Sequence, residues 1–268
     1  MTKFLAPIAA AVLVALSAPA SAVGVFNEFR VNEMVVPGAN VLGLANSNLE
    51  ADKLNGSYAE RLTITGPGTF AAQAVARFTS FLSNDGLDPV SSLLNGIGVA
   101  GGYSIYAIFT ASGNITGPNA FQSTNNQFSL WLDPNQNSAF SLTTGLVAPT
   151  LNVAGTDSDD ILLATAGPTL TFGTGNLTGP PGAFNIDWGN FALTAFGSSY
   201  FISPVPFFMN VRVNGDYDVV TPILGLGETV NITGDVSAVF QVVPEPGSLA
   251  LAGLALFGLG FARRFKKA

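Results

Sequence analysis

Two short stretches group side chains closely enough to do chemistry. Asp133-Pro134-Asn135-Gln136-Asn137-Ser138 sets Asp, Asn and Asn at alternate positions, which places three side-chain oxygens around one loop. A hard cation such as Ca²⁺ needs oxygen ligands in such numbers. Thr156-Asp157-Ser158-Asp159-Asp160 puts three carboxylates within four residues. Those charges repel one another unless a cation or full solvation relieves them. The candidate calcium ligands are therefore Asp133, Asn135, Asn137, Asp157, Asp159 and Asp160. Each loop also has a plainer reading. Asp-Pro-Asn starts turns without any metal, and an acidic run can be a solvated loop. The first loop departs from the EF-hand pattern, with Ser138 in place of the sixth-position Gly and Thr144 where a bidentate Glu would sit. The calcium reading gains weight if the two loops meet in space.

Catalytic readings are thin. The chain has no His and no Cys, so the commonest general base, the commonest metal ligand and the thiolate nucleophile are all missing. No serine sits in a nucleophile elbow, and no His exists to activate one. A glycosidase needs two opposed carboxylates, and no acidic pair is singled out by its context. We therefore expect a protein that is not an enzyme. Four Asn-x-Ser/Thr triplets, at Asn55, Asn114, Asn176 and Asn231, fit the glycosylation pattern and read as chance matches. Aromatic side chains on extracellular β-sheets can stack on sugar rings, and the candidates are Trp131, Trp188, Tyr58, Tyr103, Tyr106, Tyr200 and Tyr217. Most of the aromatic content is Phe, which favours core packing over a sugar platform.

The elements that must position these groups read as β throughout. Tyr103 to Phe109 is β-branched and aromatic. Phe128, Leu130 and Leu132 alternate with Gln127, Ser129 and Trp131, and Ala183 to Trp188 alternates as well. Met209 to Val213 runs into Asn214-Gly215, a hairpin signal, with a further strand from Tyr217 to Val220. A last strand places Val236, Ala238, Phe240 and Val242 on one face. Gly66-Pro67-Gly68, Gly117-Pro118-Asn119 and Gly179-Pro180-Pro181-Gly182 are loops. Thr69 to Leu82 fits both periods and reads as a strand giving way to a short helix. The expectation is an all-β body, a single β-sandwich or jelly roll, over residues 23–242. The loop from Gly145 to Asp160 is the softest internal boundary.

Both ends carry addresses. Met1-Thr2-Lys3, the apolar run Ile8 to Leu16 and the small-residue site Ala20-Ser21-Ala22 follow one another in signal-peptide order, so residues 1–22 read as a leader and the mature chain begins at Val23. At the other end Pro244-Glu245-Pro246 precedes an uncharged apolar segment, Ser248 to Ala262, and the basic tail Arg263-Arg264-Phe265-Lys266-Lys267-Ala268. The segment is short for a full span of about 20 residues. The basic tail should stay cytoplasmic, leaving the body outside. Between these ends only Arg30, Lys53, Arg61, Arg77 and Arg212 oppose sixteen acids, a net charge of −11. Such a surface repels phosphate backbones, which argues against nucleic acid as a partner.

The C-terminal arrangement of Pro244, Glu245, Pro246, apolar helix and Arg263/Arg264 resembles the PEP-CTERM sorting signal. That resemblance implies a Gram-negative bacterium that makes exopolysaccharide, and processing by an exosortase acting near Pro-Glu-Pro. Residues 243–268 form this signal. The body also resembles the flocculation-associated branch of PEP-CTERM proteins. The matching residues are Phe26-Asn27-Glu28-Phe29, Pro37-Gly38-Ala39-Asn40, Ala51 to Glu60, Leu132-Asp133-Pro134-Asn135 and Asp159 to Ala164. This second resemblance implies a protein that helps cells aggregate in an exopolysaccharide matrix, and it carries no catalytic residues. Two further expectations stand beside it: a secreted carbohydrate-binding module and a polysaccharide-modifying enzyme.

Overall fold

The computed structural model describes residues 26–39, 48–94, 101–117, 120–142, 151–154, 159–167, 171–175, 182–217 and 226–241. The leader 1–22, the sorting signal 243–268 and Asp157 lie outside them. Among the described residues no helix is long and apolar enough to cross a membrane; the apolar run Ser248 to Ala262 is not among these residues.

The described body is all-β, as the alternation predicts. Its strands are β1 (Phe29–Asn32), β2 (Asn48–Ala51), β3 (Lys53–Gly66), β4 (Thr69–Ser83), β5 (Asp88–Pro89), β6 (Ser104–Gly117), β7 (Ala120–Asp133) and β8 (Ala139–Leu142). Then follow β9 (Leu151–Ala154), β10 (Ile161–Ala166), β11 (Thr171–Gly175), β12 (Gly182–Trp188) and β13 (Ala192–Leu193), and after them the short helix α1 (Ala195–Tyr200). The chain continues through β14 (Phe201–Ser203), β15 (Asn210–Tyr217) and β16 (Thr229–Gln241).

The main sheet runs β11-β12-β15-β16-β3-β4-β6-β7, each strand antiparallel to the next. Its two ends then join, because β11 also pairs with the first part of β7, from Thr171↔Ser123 to Thr174↔Ala120. Eight strands thus form a closed barrel, in place of the two separate facing sheets of a sandwich. The second half of β7 pairs instead with β10, from Ile161↔Leu132 to Ala166↔Phe128, and β10 carries β13 on its other side. One long strand therefore serves two partners in succession. This is the physical reason the sheet closes at one end of the barrel and splays at the other.

Alternation sets what lies inside. Along β16, Val230, Ile232, Gly234 and Val236 are buried while Asn231, Thr233 and Asp235 are exposed. Apolar groups face in and polar groups face out, the reverse of a membrane-spanning barrel. The hairpins β3–β4, β6–β7, β11–β12 and β15–β16 all turn at one end. At the other, a three-stranded sheet of β14-β1-β2 packs as a plug. Phe29 of the plug meets Phe240 at 5.1 Å, Phe201 at 5.9 Å and Phe81 at 6.2 Å, mostly edge to face. The plug is also fixed by a buried carboxylate. Glu33 Oε1 accepts from Ser92 Oγ (2.5 Å), Leu93 N (2.9 Å) and Tyr103 OH (2.8 Å), and Tyr103 OH meets Tyr200 OH at 2.6 Å.

Two local expectations are corrected. Thr69 to Leu82 is strand throughout, with no helical turn, because ten successive residues from Thr69 to Phe78 pair with β6 while the other edge pairs with β3. Asn214-Gly215 makes no turn, since β15 runs straight through it to Tyr217. Gly215 is there for space: a Cβ would lie 2.3 Å from the Asp235 carbonyl oxygen and 2.7 Å from the Phe184 ring.

Candidate functional site

The loop that follows β7 is built around Asp133. Its side chain is fully buried. Oδ1 accepts from Asn135 N (3.1 Å), and Oδ2 accepts from Ser138 N (2.9 Å) and Ser104 Oγ (3.4 Å). The Asp-Pro-Asn turn thus forms as turn chemistry dictates, with the carboxylate folding the backbone around itself.

The second acidic loop arrives beside it because β10 pairs with β7. The register Ile161↔Leu132 puts Asp159 and Asp160, just before β10, next to Asp133, just after Leu132. One carboxylate oxygen from each of Asp133, Asp159 and Asp160 lies within 4.8 Å of the other two. Asn135 Nδ2 donates to Asp159 Oδ2 at 2.6 Å, joining the loops directly. Asp160 Oδ2 accepts from Tyr106 OH and from Ser138 Oγ, both at 2.6 Å. Its Oδ1 is buried with no hydrogen-bond partner. Burial raises the Asp160 pKa, the bonds from Ser138 and Tyr106 lower it, and the neighbouring Asp133 and Asp159 raise it again.

Of the six ligands expected from sequence, three come together as carboxylates: Asp133, Asp159 and Asp160. Asn135 is present, but its amide nitrogen holds Asp159. Asn137 is exposed on the same loop. Ser138 belongs to the expected loop, whereas Tyr106 and Ser104 were not anticipated at this site. The signal for them was register, since Ser104 lies opposite Asp133 and Tyr106 opposite Trp131 on the neighbouring strand. An all-oxygen set with one orphaned buried oxygen fits a hard divalent cation, and Asp133, Asp159 and Asp160 are the residues that would hold it. The carboxylates sit side by side on one pair of loops. They are not opposed across a substrate in the manner of a glycosidase pair.

The aromatic candidates for sugar stacking divide sharply. Tyr58, Tyr103, Tyr200 and Trp188 are buried in the core, and Tyr106 is buried on the outer face of β6, beneath the acidic loops. Trp131 is part-buried on the outer face of β7, its ring parallel to that of Tyr106 at 6.4 Å, with Nε1 donating to Ser129 Oγ. The side chain of Tyr217 is outside the described residues.

The chain carries its address beyond this site. Residues 242–264 match the model of the PEP-CTERM protein-sorting motif. The chain carries a PEP-CTERM protein-sorting motif. The motif is the one recognised by exosortases, and it implies an exported, membrane-transiting protein that such an enzyme processes. Neither a curated protein nor a solved structure matches the chain.

Proposed function

We propose that the exported body is a non-catalytic structural or adhesive protein of the exopolysaccharide matrix, acting in floc or biofilm formation at the cell surface or beyond it. The observation that carries this reading is the meeting of Asp133, Asp159 and Asp160 from two separate loops. When bound there, calcium supplies a positive centre on a surface of net negative charge, where polysaccharide oxygens can complete its coordination. Asp133 is held rigid by its backbone bonds, Asn135 orients Asp159, and Tyr106 with Ser138 orients Asp160. The sorting motif supports the location, and the resemblance to flocculation-associated proteins supports the role.

A carbohydrate-binding module is the second reading. It rests on Trp131, which lies on the same outer face as the acidic loops and stacks on the Tyr106 that bonds Asp160. The test is to fractionate native cells with and without their exosortase, and to score aggregation with and without chelator. The first reading predicts that the protein is lost from the matrix and flocs disperse without the exosortase, and that chelator disperses flocs in the wild type. A protein retained in the membrane while flocs persist would sink the adhesive role. Saturable binding of soluble oligosaccharide that Trp131→Ala abolishes and chelator leaves intact would favour the module.

A further inference from the structure

The hairpin end of the barrel encloses a cavity of about 70 Å³. A water needs roughly 10–15 Å³ of such space, so this is far larger than an ordinary packing gap, and native cores seldom leave voids bigger than one water. Its described wall draws on six of the eight barrel strands, including Leu62 of β3, Phe70 of β4, Phe109 of β6, Phe121 of β7 and Ile186 of β12. Half-buried Ile64 and Ile115 stand nearest the hairpin turns. Trp188 lies at the far end of β12, against Phe128 at 5.7 Å and Phe109 at 6.1 Å. Barrels of eight strands have an interior that side chains can just fill, or that can hold one small ligand.

Two polar groups interrupt this apolar wall, and among the described residues neither has a hydrogen-bond partner. Trp188 is buried and its Nε1–H makes no hydrogen bond. Glu60 sits on the inward face of β3, between Tyr58 and Leu62, and no donor or cation in the described residues meets its carboxyl. Burial pushes its pKa up to about 7. Unmet polar groups inside a protein are uncommon and costly. An apolar pocket with a few such groups is the usual form of a small-molecule site.

We propose that this cavity binds a small, mainly apolar molecule ended by a hydroxyl, which donates to the Glu60 carboxyl and accepts from Trp188 Nε1–H. A hydroxyl carries both complements, a hydrogen to donate as the Glu60 carboxyl needs and lone pairs to accept as the Trp188 Nε1–H needs. The strongly negative body disfavours an anionic head group. The apolar remainder of the ligand lies along Leu62, Phe70, Phe109 and Phe121. This site is separate from the acidic loops, which lie outside the barrel wall, and its occupancy does not depend on calcium.

The test uses the exported protein carrying Trp131→Phe, so that Trp188 is the one tryptophan, titrated with 1-octanol and with its isomer heptyl methyl ether. The ether fills the same volume but cannot donate to Glu60. The expected result is saturable binding of one octanol per chain, at least tenfold tighter than the ether. Glu60→Leu should weaken octanol at least tenfold and leave the ether unchanged or tighter, because an unpaired carboxyl no longer penalises it. Ala72→Phe, which fills the cavity, should abolish both. Melting transitions of each variant verify the fold, and Glu60→Leu carries the test if Ala72→Phe does not fold. No saturable octanol binding, or equal affinities for the two isomers in both the parent and Glu60→Leu, would overturn the proposal.

Discussion

Asn135 and Asp159 are joined by a hydrogen bond of 2.6 Å that links the loop after β7 to the loop before β10. It makes one site of two acidic stretches that stand more than twenty residues apart. If that site takes calcium, binding to the folded state alone stabilises it by RT ln(1 + [L]/Kd), about 2.7 kcal/mol at a hundredfold excess over Kd. For a body of this size that is roughly 5–10 °C of melting temperature. We expect such a rise between chelator and millimolar calcium. Asp160→Asn should lose the rise while melting no lower than wild type in chelator, since it relieves repulsion when no cation is present. A melting curve indifferent to calcium would remove the metal from the account.

Asp133 should matter whether or not calcium binds. Its buried carboxylate accepts two backbone N–H groups and the Ser104 hydroxyl. Asp133→Ala orphans these donors, and the expected cost is about 2–4 kcal/mol in denaturant unfolding. Asp133→Asn keeps an acceptor and should cost less. A loss below about 0.5 kcal/mol for the alanine variant would show that the loop is not built on this residue.

How much of this was legible depended on range. The alternation along β7 and β16 named the inward residues Leu130, Leu132, Val236 and Phe240 because a strand's period is local. The acidic loops were legible as candidates, but their meeting was not, since it rests on the Ile161↔Leu132 register between distant strands. Barrel closure was hidden for the same reason: nothing local tells that β7 pairs first with β11 and then with β10. Glu60 was overlooked although it falls in the inward row of Leu54, Tyr58, Leu62 and Ile64. A lone acid in such a row is a visible signal. Asn214-Gly215 misled because a glycine needed for close packing looks the same as one needed for a turn.

That glycine gives a further expectation. A methyl at position 215 would meet both the Asp235 carbonyl oxygen and the Phe184 ring. Gly215→Ala should therefore destabilise the barrel by roughly 1–3 kcal/mol, as overpacking does. Were Gly215 a turn residue, Gly215→Asn would be tolerated. By this account Asn costs more than Ala, and an unfolding series over the three chains decides it.

Glu60 should give stability a pH dependence of unusual sign. Its pKa is raised on folding, from an ordinary 4.5 to about 7. Below pH 4.5 it is protonated in both states. Between 4.5 and about 7 the unfolded chain ionises first, so stability falls as pH rises, and above about 7 the loss is complete. The full effect is at most roughly 3 kcal/mol. Asp52 and Asp160, whose pKa values are also raised, slope the same way from other sites. Tyr58 is the other ionisable side chain on that face of β3. Glu60→Gln should remove the Glu60 part alone, so the wild-type-minus-variant difference isolates it. Parallel pH profiles for the two proteins would contradict this.

We propose, as the central claim, that the sorting motif found at residues 242–264 delivers this β-barrel to the matrix, where it holds cells together. The most direct measurement places Glu245→Ala, or a deletion of Val243 to Pro246, in the native cell and follows both the protein and the flocs. The account predicts an unprocessed form trapped in the membrane and cells that disperse. A variant that still reaches the matrix, with flocs intact, would contradict it.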